Sequence, residues 1–64
     1  MRYNLILEQS RPGQGVKLTL LGRADNREHA EQWARTRLRR ADTRYGDKVQ
    51  IHPVGHTAPS FTIE

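Results

Sequence analysis

Apolar and polar residues alternate from Arg2 to Gln9. Tyr3, Leu5 and Leu7 share one phase; Asn4, Ile6 and Glu8 share the other. A period of two is that of a half-buried β-strand. The segment 10–15, Ser-Arg-Pro-Gly-Gln-Gly, holds two glycines and a proline and predicts a hairpin loop. Alternation resumes over Val16–Leu21, with Val16, Leu18 and Leu20 expected inward, and Gly22 is expected to end this second strand.

The period then changes. Ala30, Trp33, Ala34, Leu38, Ala41 and Tyr45 recur at spacings of three, one, four, three and four, which is one face of an amphipathic helix. Asp25 with Glu28 three residues on resembles a capping box, and Asn26 is a second cap candidate. Gly46 stands where a helix C-terminus favours positive φ. The helix is expected over about 26–44. Lys48–His52 reads as a third strand with Val49 and Ile51 inward. Pro53 cannot donate to a ladder, so this strand ends there or continues as an edge. Residues 55–64 read as loop and then a segment, Ser60–Glu64, that can add a short fourth strand or fray.

The elements predict one α+β domain spanning 1–64, in ββαβ(β) order. An antiparallel sheet of three or four strands would carry one helix on one face. The expected core is Tyr3, Leu5, Leu7, Val16, Leu18, Leu20, Ala30, Ala34, Leu38, Ala41, Val49 and Ile51, joined by Phe61 and Ile63 if the C-terminal segment docks. Asn4, Glu8, Lys17, Thr19, Gln50 and His52 would form the wet face of the sheet, with Ile6 and Leu21 among them.

Sixty-four residues suffice for one small core, and no cysteine is present to brace it or to hold zinc. No stretch approaches the length of a membrane span, and residues 1–8 are too short and polar for a secretory leader. A cytoplasmic protein without membrane contact is expected. Ser10 and Ser60 lack the setting of an activated nucleophile, and the carboxylates cluster near arginines, so no catalytic residue and no small-molecule substrate are expected. His29, His52 and His56 have no spacing that fixes a metal geometry, and the glycines open no helix onto a phosphate; neither metal nor cofactor is expected.

Charge carries the one functional signal. Lys and Arg total 11 against 7 Asp and Glu, a formal +4, and nine of the eleven are arginine. Such a balance favours acidic partners. At about 100° per residue from Trp33, the apolar face lies near 60–140°. Arg35 and Arg39 fall near 200–240°, close to Glu31 and Asp42, with which they can pair. Arg37, Arg40 and Arg44 fall within about 40° of Trp33, a sector with no helix acid. Arg37, four residues on, could make a cation–π contact with Trp33. The opposing structural account is that Trp33 covers the edge of the core and that late-helix arginines complement the helix dipole.

The hairpin, the helix with Ala30-Glu31-Gln32-Trp33 and the strand Lys48-Val49-Gln50-Ile51 are similar in order to phage-encoded inhibitors of bacterial RNA polymerase, over about residues 3–54. The resemblance contains no specific motif and departs in charge. It implies a small regulator that binds a host protein.

Three partner classes follow. Nucleic acid is the first, met by Arg37, Arg40 and Arg44, with Arg23, Arg27 and Lys17 in support and Trp33 available for stacking. An acidic surface of a host protein such as RNA polymerase is the second, using the same Trp–Arg edge. Self-association through a strand edge is the third, with Pro53 and the short C-terminal segment arguing against it.

Overall fold

A computed structural model describes residues 2–40, 46–55 and 57–64. Four strands form one antiparallel sheet in the order β2-β1-β3-β4: β1 (Arg2–Arg11), β2 (Gly15–Ala24), β3 (Lys48–Val54) and β4 (Phe61–Ile63). The helix α1 (Arg27–Arg40) stands between β2 and β3 in sequence. The α+β architecture expected from the pattern is therefore the observed one, and the C-terminal segment does form the fourth strand. Ala41, Arg44 and Tyr45, assigned to the end of the helix by their spacing, lie outside the described residues, as does His56.

The hairpin loop is shorter than six residues. Strands run to Arg11 and from Gly15, leaving Pro12-Gly13-Gln14 as the turn. Pro12 presets φ at the second turn position. Gly13 supplies φ +76° at the third, where a side chain would be strained. The Gln14 amide closes the turn by donating to the Arg11 carbonyl at 3.1 Å.

This three-residue turn decides which face of β2 meets the core. Arg11 pairs with Gly15, and stepping back two residues at a time pairs Gln9 with Lys17 and Leu7 with Thr19. Directly opposed residues of an antiparallel pair share a face. Leu7 is buried against the helix, so Lys17 and Thr19 lie on the helix side, and Val16, Leu18 and Leu20 lie on the other side with Ser10, Glu8 and Ile6. The expectation that these three residues enter the core is overturned: Val16 is 63 % exposed, Leu18 57 % and Leu20 67 %. A six-residue loop would have set the opposite parity.

A β-bulge then resets the phase. Ile6 pairs with Leu20 but Leu5 pairs with Gly22, so Leu21 is the extra residue. Beyond it Gly22 and Ala24 face the helix, β2 continues to Ala24 rather than stopping at Gly22, and Leu21 packs against the core rather than joining the wet face.

The buried core is Tyr3, Leu5, Leu7, Ala24, Ala30, Ala34, Leu38, Val49 and Ile51, flanked by Leu21, Trp33, Phe61 and Ile63. Two small helix residues, Ala30 and Ala34, are fully buried, which lets the helix backbone lie close to the strands. Phe61 meets Tyr3 edge to face, centroids 6.4 Å apart, and so seats β4 on the core. Because β4 pairs only with Val49–Ile51, Pro53 has a strand partner (Tyr3) on one side alone, and its missing N–H disrupts no ladder on the other.

Asn26, not Asp25, caps the helix. Its side-chain oxygen accepts from the His29 amide at 2.8 Å, and its carbonyl accepts from the Ala30 amide at 3.0 Å.

Candidate functional site

Of the seven residues singled out by charge and periodicity, the six that are described divide among three surfaces. Trp33 packs on Gly22 of β2, and Arg37 and Arg40 fall within about 40° of it round the helix. Lys17 lies on the helix side of β2. Arg27 lies across the helix: its guanidinium sits 4.4 Å over the Phe61 ring, and its Nε is 3.9 Å from Glu31. Glu31, assigned by spacing to Arg35, is the acid that Arg27 approaches. Arg23 points to the far side of the sheet, where its Nε donates to Asn4 Oδ1 at 3.2 Å. Arg44 is outside the described residues.

Trp33 is half-buried and held on two sides. Its ring covers Gly22, where an added Cβ would lie 2.5 Å from Trp33 Cη2. His29, one turn earlier, stacks on it with centroids 6.2 Å apart at 27°. Among the described residues the ring neighbour of Trp33 is thus His29, and Trp33 packs against the core beside β2. An open surface depression bounded by His29, Gln32, Trp33 and Thr36 marks this border.

A residue that periodicity did not single out anchors the same region. Asp47 is buried, and its side chain is fully inaccessible. Arg11 grips it with both guanidinium nitrogens, Nη1 to Oδ1 at 2.7 Å and Nη2 to Oδ2 at 3.2 Å, and Gln9 Nε2 approaches Oδ2 at 3.5 Å. The Arg11 hydrogen bonds hold the Asp47 carboxyl below its ordinary range against the opposing effect of burial. Gln9 assists, as do the charges of Arg11 and, more weakly, Arg37. This ties the hairpin to the segment entering β3. Arg37 also lies within electrostatic reach of Asp47, and Lys17 is the cross-strand partner of Gln9.

The opposite sheet face carries a chain of polar side chains. Gln50 Nε2 donates to Glu8 Oε1 at 2.6 Å, which leaves Gln50 Oε1 to accept from His52 Nε2 at 2.9 Å. His52 then presents Nδ1 as an acceptor to the Ser60 hydroxyl at 2.8 Å. Ser60 and His52 thus meet although their sequence settings gave no such signal. They sit on an open sheet face, and the chain fastens the approach to β4 onto β3. The surface depressions lined by His29, Gln32, Trp33 and Thr36 and by Arg35, Leu38, Arg39 and Glu64 both border the helix instead.

No group of three metal-ligating side chains occurs among the described residues, and no described helix is long and apolar enough to cross a membrane. No known protein family, no curated protein and no solved structure matches the chain. Its class is therefore set by its own architecture: a small α+β domain with one helix on a four-stranded antiparallel sheet.

Proposed function

We propose that this domain acts by binding rather than catalysis, and that its partner is nucleic acid, contacted along the border between α1 and β2. The observation that carries this reading is that Lys17 lies on the helix side of β2, the strand on which Trp33 packs through Gly22, while Arg37 and Arg40 fall in the Trp33 sector of the helix. The helix acids Glu28 and Glu31 lie about 140–160° round the helix from Trp33. Lys17 and Arg40 are exposed, and Arg37 is partly so. Charges so placed suit phosphate oxygens, which position a protein on a nucleic acid without reading its sequence. Trp33 contributes by fixing the helix border over Gly22.

The test is fluorescence anisotropy of labelled duplex DNA, duplex RNA and single strands, titrated with the protein at low and near-physiological salt. Micromolar binding that weakens with salt is expected. The double variant Lys17→Gln/Arg40→Gln should lose at least tenfold in affinity with an unchanged melting temperature. Arg27→Gln, across the helix, should bind as the unmodified chain does. Absence of binding at low salt overturns the reading and leaves an acidic protein surface as the partner to seek. Equal losses from Arg27→Gln and the double variant would reduce it to unspecific attraction by net charge.

A further inference from the structure

We infer that the domain pairs with a second copy of itself through the free edge of β2, in an antiparallel register centred on Leu18. β2 is the outermost strand on its side of the sheet, with β1 on one flank and, among the described residues, no strand on the other. Every residue from Gly15 to Leu20 is exposed. An edge of this kind presents unpaired backbone groups to another strand. Of the features that usually discourage pairing, Val16–Leu20 holds one, the edge lysine Lys17. The segment contains no proline and no acid, and the bulge at Leu21 lies beyond it.

The apolar row argues for a partner at the edge rather than over the face. Val16, Leu18 and Leu20 stand on the outermost strand, while the rest of that face holds Ile6 beside Leu20, then Arg23–Asn4 and the Glu8–Gln50–His52–Ser60 chain. Stacking a sheet on the whole face would bury those polar groups. Edge pairing leaves them wet and brings only the apolar row to the seam.

Self-complementarity fixes the register. Centred on Leu18, two-fold pairing sets Leu18 against Leu18 of the second copy, Val16 against Leu20, and Lys17 against Thr19. Six apolar side chains then line one face of the seam, and no like charges oppose. Centring on Lys17 would put the two ammonium groups opposite each other, which is unfavourable. Centring on Thr19 would pair Val16 with Gly22 and run the ladder into the bulge. A standard stable interface buries about 800 Å² per partner, against a chain surface of 4532 Å². One strand edge with three side chains covers less than that, so monomer and dimer should exchange at micromolar concentrations.

Because the chain has no cysteine, single-cysteine variants read the register directly. Opposed Cα atoms in such a pair lie about 4.5–5.5 Å apart, within disulfide range. L18C, K17C and T19C each probe one possible centre. Under mild oxidation L18C should cross-link at least tenfold faster than K17C or T19C. Sedimentation of the unmodified chain from 1 to 500 µM should show a monomer–dimer equilibrium that tightens with added salt, since each copy carries +4. Leu18→Lys should weaken it at least tenfold with an unchanged circular dichroism spectrum. Leu18→Asn, which adds no charge, serves as the second variant should the lysine chain fail to fold. A monomer throughout the concentration range overturns the inference, and so do equal cross-linking rates at the three positions.

Discussion

The indole of Trp33 rests directly on the backbone of Gly22, where a single added carbon would lie 2.5 Å from Cη2. Gly22 also holds φ at +152°, a conformation that side chains rarely adopt. It follows the bulge residue Leu21, so the contact joins the bulge to the helix border in one feature. Replacing Gly22 by Ala combines a steric clash with backbone strain and should cost about 3 kcal/mol. The melting temperature would report the loss, and tryptophan emission would shift to the red as the ring is displaced.

Leu18 and Leu20 differ sharply from Leu5 in energetic weight, although all three are leucines in alternating strands. Leu5→Ala, at a fully buried position, should cost about 2–5 kcal/mol. Leu20→Thr, at a 67 % exposed position, should change stability by about 0.5 kcal/mol or less at protein concentrations where the chain is monomeric. Urea unfolding of the two variants at low concentration checks the contrast. A large loss from Leu20→Thr would mean that β2 faces the core.

Asp47 should give the fold an acid-sensitive clasp. Its carboxyl is held below the ordinary value of 3.8, chiefly by Arg11, so its contribution is fully present above that value and is lost as pH falls through the lowered one. Asp47→Asn should lower stability at pH 7 by about 2 kcal/mol. It should also flatten the decline in stability below pH 4, as read by thermal melts across pH 2–7.

Asn26→Ala removes the acceptor for the His29 amide and should cost about 1 kcal/mol, whereas Asp25→Ala, at a position that the observed cap does not use, should change stability little. Melting temperatures of the pair decide between the two cap positions.

Salt dependence measures the proposed nucleic-acid contact. If Lys17, Arg37 and Arg40 each neutralise one phosphate of a duplex, log K should fall with log salt at a slope of about −2.7. The Lys17→Gln/Arg40→Gln variant should reduce that slope in magnitude by about 1.8. Self-association, driven by an apolar edge between like-charged copies, should respond to salt in the opposite direction.

Much of the fold was legible from local pattern. The period-two run of β1, the period near 3.6 around Ala30, Ala34 and Leu38, and the inward pair Val49 and Ile51 all depend on interactions that recur every two or four residues, and each appears where the spacing places it. The expectation of an arginine sector beside Trp33 came from the same rule, since a helix converts sequence spacing into angle, and its member Arg44 lies outside the described residues. What the tertiary structure alone decided are matters of phase and of contacts distant in sequence. Val16, Leu18 and Leu20 alternate correctly, but alternation cannot say which set points inward. Turn length sets that parity, and a Pro-Gly turn of three residues instead of a loop of six turned the apolar row outward. The bulge at Leu21, which brings Gly22 under Trp33, is a register event between two strands. The union of Arg11 with Asp47 spans 36 positions and depends on how β1 and β3 align, and no local period records that.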